Sequence, residues 1–354
     1  MAPLLFFDPL CPRPYGEQSL REGGLAGTEA STVRIAAALD AWVAQHNRTV
    51  AEGRYRPPSA VAHVRQVVVL RDPRALRDAA RLFPEARFSL WVHDRIEPGS
   101  SRARWFERAA PELRRLQPSI VCVSDYQRVR VSATLAGIPG CEQLAVRRIY
   151  NPVDDAVTPD DTPVDPAKLV FLSSPNKGLR FALDAFRALR RRMPELRLCV
   201  ANPGYRSFAA AAIPGVQWLG SLPHARVLAE ARGALCSFSP NFVIPETFGL
   251  VFAESRAVGT PVLTYDCGAA REVLGDAQEL MPVSWAQRAY EAPLRRLEPR
   301  WRAVPALLAD RLGLFDGCIE RIRRWREGGR PRVGPDPRFR LSVIAAEWRS
   351  HLGA

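Results

Sequence analysis

Two carboxylates enclose an apolar stretch of the sequence, "IPETFGLVFAESRAVGTPV", at residues 244–262. Apolar residues recur there at helical spacing and predict one helix over residues 246–258. Eight helical residues rise about 12 Å and turn through roughly 800°, so Glu246 and Glu254 would be about 80° apart around the axis. Gly249 would leave the first turn open, and the N–H groups of that turn would attract an anion. A ligand with polyol, phosphate and polyol in line, such as a nucleotide-sugar, fits this pattern. An ordinary surface helix, with Glu246 complementing the helix dipole and Glu254 solvated, fits it too.

A lysine follows the apolar run "KLVFLSS" at the predicted turn into another helix. It is Lys177, and Lys168 is the only other lysine in the sequence, although Lys plus Arg number 50. A lysine at this point can bind a diphosphate and stabilise it as it leaves. The GxxxxGK pattern of a phosphate-binding loop is absent, and a surface lysine is the alternative.

Two motifs of the first half also follow predicted strands. His93 comes directly after "RFSLWV", where it could position a substrate hydroxyl or form a polar wall. Gly23, Gly24 and Gly27 precede a predicted long helix, where backbone N–H groups could approach a phosphate. A hydrogen-bonded loop histidine and a mobile loop are the respective alternatives.

Composition restricts the class of protein. The 354 residues are 47% hydrophobic and 25% charged, which is typical of a soluble chain of two domains. A net charge of +13 favours acidic partners such as nucleotides, anionic lipid or nucleic acid. The seven cysteines form no CxxC pair, which favours free thiols in a reducing compartment. No apolar window is long enough to span a membrane, so we expect a cytoplasmic protein, with association at the cytoplasmic face left open.

Apolar runs alternate with helical patterns along the chain, which predicts an α/β fold with parallel sheets. The helices are expected at residues 28–45, 73–82, 102–116, 124–135, 177–192, 224–232, 246–258 and 269–274. A Pro- and Asp-rich stretch near residues 158–166 divides the chain. We therefore predict an N-terminal domain at 1–158, a C-terminal domain at 159–336, and a last helix in 337–354 that could pack back on the N-terminal domain. Ligands are expected at the carboxyl ends of the strands, in a cleft between the domains.

The order of "AGTE", "VHD", "YNPVD", "SSPNKGL" and "PETFGLVFAESRAVGTPV" over about residues 20–275 resembles the retaining GT-B glycosyltransferases of family four, also called group 1. The most specific element is the pair of glutamates separated by seven residues. The resemblance implies two Rossmann-like domains facing across a cleft, an N-terminal acceptor domain and a C-terminal donor domain. It also implies transfer of a sugar from a nucleotide-diphosphate sugar to a hydroxyl with retention of anomeric configuration.

The resemblance also implies roles for single residues. Glu246, His93 and Lys177 would be the catalytic residues: Glu246 would contact hydroxyls of the donor sugar, His93 would lie near the reacting carbon, and Lys177 would bind the diphosphate. Glu254 would accept hydrogen bonds from the ribose. The other donor-binding positions would be Gly27, Thr28, Phe248, Gly249 and Leu250.

The sequence departs from the family at one phosphate-binding position. Leu172 stands where the family often carries an arginine, and Arg180 is a candidate to replace it. No HExxH motif, cysteine cluster or strand-ending Asp-x-Asp is present, so we expect neither metal nor cofactor. A UDP-sugar is the first expectation for the donor and a GDP-sugar the second.

The acceptor is not named by any motif. A glycan, a lipid-linked glycan, a small molecule and a nucleic acid all remain open, the last because of the basic charge. Five arginines in the predicted helix 102–116 could dock on anionic lipid, although a solvated helix face is the simpler explanation. A GT-B protein that binds a nucleotide-sugar without catalysis is a further alternative.

Overall fold

The chain divides into two compact units, which a computed structural model describes over residues 4–202, 212–275, 278–288 and 310–353. Unit 1 comprises Met1–Ser19, Ala26–Asp155 and Pro337–Ala354. Unit 2 comprises Leu20–Leu25 and Ala156–Asp336. Each unit is built around its own parallel sheet covered by helices, as the alternating sequence pattern predicts.

The sheet of unit 1 has seven strands in the order β3-β2-β1-β4-β5-β6-β7, and every neighbouring pair is parallel. Its central strands are continuous runs of Val, Leu, Ile and Phe because helices cover both faces. The strands are β1 (Leu4–Asp8), β2 (Trp42–Gln45), β3 (Tyr55–Arg56), β4 (Gln66–Leu70), β5 (Arg87–Val92), β6 (Ser119–Cys122) and β7 (Val146–Arg148).

The helices of the first 155 residues correct two predictions. They are α1 (Glu17–Glu22), α2 (Gly27–Ala38), α3 (Leu76–Leu82), α4 (Ala103–Arg108), α5 (Ala110–Leu116) and α6 (Asp125–Ala136). The predicted helix 28–45 was wrong beyond Ala38, because Asp40 takes a left-handed φ of 50° and the chain continues as β2. The predicted helix 102–116 is two helices, since Pro111 restricts the chain to a new helix start.

The sheet of unit 2 has six strands in the order β10-β9-β8-β11-β12-β13, again all parallel. The strands are β8 (Asp165–Phe171), β9 (Arg197–Ala201), β10 (Val216–Gly220), β11 (Ala234–Ser239), β12 (Val262–Tyr265) and β13 (Leu280–Met281). The helices are α7 (Leu179–Arg190), α8 (His224–Arg232), α9 (Leu250–Ala257), α10 (Ala270–Leu274) and α11 (Asp316–Gly328).

The C-terminal residues complete unit 1 rather than unit 2. The chain returns to unit 1 shortly before Phe339, whose carbonyl accepts a hydrogen bond from the N–H of Val153 at 2.7 Å. The last helix, α12 (Leu341–Leu352), follows directly. Trp348 of α12 is fully buried, with ring centroids 5.8 Å from Phe6 and 5.0 Å from Trp91. An aromatic from the last helix thus packs against β1 and β5 and forms part of the core of unit 1.

All seven cysteines lie within the described residues, and all are free thiols. Six are buried and Cys267 is half-buried. Among the described helices, none is both long and apolar enough to cross a membrane.

Candidate functional site

The crossing point of the unit 2 sheet carries two of the predicted site residues. β8 and β11 are neighbours in the sheet. The strand that follows β8 in the chain, β9, lies on one side of this pair, and the strand that follows β11, β12, lies on the other. Ligands of open parallel sheets bind beyond the carboxyl ends of such a strand pair. Lys177 follows β8 and Glu246 follows β11, and Lys177 Nζ lies 2.7 Å from Glu246 Oε2. Sheet topology therefore brings together an ammonium and a carboxylate that are 69 residues apart.

Lys177 is held by a short turn that packs on the neighbouring loop. Residues Pro175–Lys177 form a single 3₁₀ turn, and Gly178 follows with φ of 98°. A Cβ at Gly178 would lie 2.8 Å from the Cβ of Asn241, so only glycine fits this approach. Asn241 in turn closes its own loop, because its Oδ1 accepts from the N–H groups of Val243 and Ile244, both at 3.0 Å.

Glu246 does not lie in a helix, and the predicted helix 246–258 was wrong over its first four residues. The carbonyl of Glu246 accepts from the N–H of Ala269 at 3.0 Å, and its backbone pairs with Gly268 in a parallel bridge. Gly249 then takes a left-handed φ of 89°, and α9 begins at Leu250. The angle of about 80° expected between Glu246 and Glu254 therefore does not apply.

The start of α9 nevertheless provides the expected features. Gly249 stands at its N-cap, Phe248 is fully buried beside it, and Leu250 is the first helical residue. A helix N-terminus of this kind presents backbone N–H groups and a partial positive charge to an anion. Glu254 lies in the middle of α9 and is buried, rather than solvated as on a surface helix.

A histidine that the sequence reasoning did not single out contacts Glu254. His224 is the first residue of α8, and its Nε2 lies 2.9 Å from Glu254 Oε1. The signal was present in the sequence, because "SLPHARV" places a histidine directly after a proline at a helix start. Spacing alone could not pair it with a carboxylate 30 residues later.

The glycine-rich motif of the first half is divided between the two units. Gly23 and Gly24 belong to unit 2, whereas Gly27 and Thr28 open α2 in unit 1. A Cβ on Gly23 would lie 2.4 Å from the carbonyl oxygen of Leu222, two residues before His224. The segment Leu20–Leu25 therefore packs closely on the loop that leads into α8.

His93 of unit 1 follows β5 and is nine-tenths buried, with its ring centroid 4.5 Å from that of Trp91. Burial, and then the nearby Arg71, lowers the pKa of His93 from its ordinary 6.5 to about 3. The imidazole is therefore neutral at physiological pH. In that form it can both donate and accept a hydrogen bond but cannot supply positive charge.

A partly buried ionic cluster occupies the crossing point of the unit 1 sheet, between β1 and β4. Arg71 takes a left-handed φ of 65° and contacts Asp94 at 3.3 Å and Glu29 at 3.9 Å. Burial raises the pKa of Glu29 and of Asp8, the last residue of β1. Sequence reasoning passed over this cluster, because its members come from separate strands and helices.

Leu172 stands at the position where the family that the sequence resembles often carries an arginine, and the structure buries this apolar side chain. Leu172 is 92% buried at the end of β8 and packs in the interior. Arg180, the candidate replacement, lies 3.8 Å from Asp184 on its own helix. Among the described residues there is no group of three or more His, Cys, Asp and Glu side chains that could hold a metal ion. The expectation of metal independence stays a prediction.

Replacing Gly268 by alanine is expected to displace Glu246. A Cβ there would lie 2.5 Å from the backbone oxygen of Glu246 and 2.7 Å from its nitrogen, at a φ of 70°. Thermal unfolding should show a loss of about 2–4 kcal/mol, from left-handed strain plus overpacking. Gly275→Ala is the matched control, because it has φ of 65° but meets no described atom within 4 Å. Equal losses in the two variants would show that the contact with Glu246 carries no cost.

Replacing His93 by asparagine is expected to flatten the pH dependence of stability. Below pH 6.5 the unfolded chain protonates this histidine, whereas the folded chain does so only near pH 3. The free energy of unfolding of the wild type should therefore fall as pH drops through that window, by about 2 kcal/mol between pH 7 and 5. Urea titrations at several pH values measure the slope, with exposed His63→Asn as control. Parallel curves for wild type and His93→Asn would contradict the expectation.

Part of the second half of the chain matches the model of a known protein family. Residues 166–297 match the family model "Glycosyl transferases group 1". That segment contains Lys177, Glu246, Glu254 and His224, so the match covers the unit 2 site.

Curated relatives match over part of their length. A phosphatidyl-myo-inositol mannosyltransferase of Mycobacterium leprae is 32% identical over 108 residues, which cover 29% of this chain and 29% of that protein. The protein of the same name from Mycolicibacterium smegmatis is 31% identical over 138 residues, 36% of each chain. The chain thus spans about a third of the length of these relatives.

Solved structures match over nearly the whole chain and show the fold. Anabaena Alr3699/HepE in complex with UDP has a TM-score of 0.64 at 14% identity and covers 99% of both chains. The α,α-trehalose 6-phosphate synthase of Burkholderia multivorans has a TM-score of 0.61 at 11% identity, with 100% and 96% coverage. The prediction of a GT-B α/β fold with two Rossmann-like domains is confirmed.

Proposed function

We propose that this chain is a retaining glycosyltransferase that transfers a hexosyl group from a nucleotide-diphosphate sugar to an acceptor hydroxyl without a metal ion. The observation that carries the proposal is the pairing of Lys177 with Glu246 at the crossing point of the unit 2 sheet. The N-cap of α9 follows three residues after Glu246, and Glu254 is buried within that helix. The match of residues 166–297 to a glycosyltransferase family supports the same activity.

The parts of a nucleotide-sugar correspond to these groups. The diphosphate would contact the ammonium of Lys177 and the first N–H groups of α9, which favour an anion. Hydroxyls of the sugar would donate to Glu246, and hydroxyls of the ribose would donate to Glu254. Phe248, Gly249 and Leu250 would bring backbone close to sugar and phosphate.

In the reaction, the bond between the anomeric carbon and the diphosphate oxygen breaks on the same face on which a bond to the acceptor oxygen forms, and the proton of the acceptor hydroxyl passes to the leaving diphosphate. Negative charge develops on the leaving diphosphate, and Lys177 and the helix N-terminus would stabilise it. These groups take the place that a divalent cation has in other transferases. The neutral imidazole of His93 would hydrogen-bond a hydroxyl near the reacting carbon, and Gly27 and Thr28 would contact the phosphates.

A UDP-sugar is our first choice of donor and a GDP-sugar our second. One neighbour in fold is described in complex with UDP and another state of it with UDP and glucose. The curated relatives are named mannosyltransferases, and their names give phosphatidyl-myo-inositol as acceptor. A lipid-linked acceptor at an anionic membrane is therefore one of the acceptors that this proposal admits.

The test is a calorimetric titration of the protein with UDP, GDP, ADP and CDP, first with a chelator and then with Mg²⁺. We expect one nucleotide to bind with micromolar affinity in the presence of chelator. The sugar is then found by measuring release of that nucleoside diphosphate from a panel of its sugar conjugates. Absence of binding by all four nucleotides, or binding only with Mg²⁺, would overturn the proposal.

A further inference from the structure

We propose that His224 is a positioning residue, which holds the carboxylate of Glu254 in the orientation that binds the ribose of the donor nucleotide. The inference rests on the proposed function, because it takes Glu254 as the ribose ligand. It adds a residue from a second helix to the site. It also makes the recognition of ribose hydroxyls depend on a histidine that never touches the nucleotide.

The contact itself is short and well protected. His224 Nε2 lies 2.9 Å from Glu254 Oε1, and the two side chains are 26% and 11% exposed. An ionised carboxylate can only accept, so the imidazole donates from Nε2. Both the neutral imidazole with its proton on Nε2 and the protonated imidazole can make this bond. The contact therefore needs a donor at the Nε2 position rather than a positive charge.

The backbone around His224 restricts where the imidazole can lie. Pro223 precedes it with φ of −54°, and the carbonyl of Pro223 accepts from the N–H groups of Arg226 and Val227, at 2.9 and 3.0 Å. One residue earlier, Leu222 is in close approach to Gly23. The first residue of α8 is thus fixed by a proline and a helical turn, and by the packed segment Leu20–Leu25.

Fixing one oxygen of Glu254 prepares the other acceptor positions for a ligand. A glutamate has three side-chain torsions, and ordering such a side chain on binding costs affinity. A carboxylate offers about four acceptor positions, so one bond to His224 does not exhaust them. With His224 in place, part of this ordering cost is met before the nucleotide arrives. Loss of the imidazole should therefore weaken nucleotide binding roughly three- to tenfold.

Two amide substitutions separate this role from simple space filling. The side-chain N–H₂ of glutamine reaches the distance of Nε2, whereas that of asparagine reaches only the distance of Nδ1. His224→Gln should therefore keep most of the affinity, and His224→Asn should behave like His224→Ala. Arg226→Ala is the control on the same helix, because its side chain is 69% exposed and 3.9 Å from Glu230.

The experiment is calorimetry on the full chain with the tightest-binding nucleoside diphosphate of the four and with its 2′-deoxy counterpart. We expect the wild type to prefer the ribonucleotide, and His224→Ala and Glu254→Ala each to reduce that preference. The double variant should bind within about twofold of Glu254→Ala alone, because both changes remove one coupled interaction. Arg226→Ala should bind like the wild type.

The outcomes distinguish this inference from the proposed function. If the wild type binds a nucleotide and Glu254→Ala weakens it, but His224→Ala leaves affinity and ribose preference unchanged, the inference is wrong and the proposed function stands. Equal affinities of His224→Gln and His224→Ala would also overturn it. If no nucleotide binds the wild type, both fail. Thermal unfolding of each variant identifies a loss that comes from misfolding, in which case the His224→Gln result decides.

Discussion

Lys177→Ala is expected to weaken binding of the cognate nucleoside diphosphate at least tenfold, since a hydrogen bond from a charged group contributes about 1.5–3 kcal/mol. Sugar transfer should slow by about a hundredfold or more, as when one preorganised donor to developing charge is removed. The loss has a second cause. Without the ammonium 2.7 Å away, the carboxylate of Glu246, only 17% exposed, would face the diphosphate as a like charge.

The chain offers an unusually close control for this change. Lys168, the other lysine, also forms an ion pair of 2.7 Å with a glutamate, Glu230, and it lies on β8 of the same unit. Lys168→Ala should leave the nucleotide affinity within about twofold of the wild type, whatever its effect on stability. Calorimetry and nucleotide-release assays on both variants provide the comparison. A similar loss of affinity in the two variants would show that Lys177 acts through folding rather than through the diphosphate.

Trp348→Ala is expected to lower the free energy of unfolding of unit 1 by about 3–5 kcal/mol, the usual effect of removing a fully buried aromatic. The indole packs against Phe6 and Trp91, so its removal leaves a cavity beside two strands of the sheet. Urea unfolding measures the loss. Binding of nucleoside diphosphate, whose principal contacts we assign to Lys177, Glu254 and the start of α9 in unit 2, should stay within about twofold under native conditions.

Val343→Ala is the matched control for Trp348, because it lies on the same helix with 41% of its side chain exposed. It should change stability by less than about 0.5 kcal/mol. Equal effects of the two substitutions would mean that α12 contributes little to unit 1. A loss of nucleotide binding in Trp348→Ala at temperatures where the protein remains folded would contradict the assignment of its principal contacts to unit 2.

Strands could be predicted from the sequence where apolar runs are long. The runs of β1, β4, β5, β6, β8, β9, β11 and β12 stand out because both faces of a parallel sheet are covered. The edge strand β10 was also predicted, although none of its residues is fully buried. The strands β3, β7 and β13 were missed because each has only two or three residues, whereas β2 was missed although its four residues equal the length of β6. In β2 the apolar residues continue the pattern of α2, and only Asp40 marks the change of structure.

Single residues of the site could be predicted where a local sequence pattern marks them, but contacts between distant segments could not. Lys177 was chosen because it follows a predicted strand, and Glu246 because it opens a predicted helix. The topology of the sheet then places them in contact. The helix around Glu246 was wrong because periodicity does not show that a backbone carbonyl pairs with Ala269 on another loop. His224 was missed for the same reason: a contact between two helices has no signature in either one.

The return of the chain to unit 1 also affects the order in which the protein can fold during its synthesis. Phe6 is synthesised roughly 340 residues before its partner Trp348. At about 5–20 residues per second, this interval is on the order of 20–70 s. All of unit 2 is synthesised within it and can form its own core first. Until α12 has been synthesised, Phe6 of β1 and Trp91 of β5 lack their aromatic partner Trp348. The growing chain therefore exposes this apolar surface, to which chaperones can bind and through which the chain can aggregate.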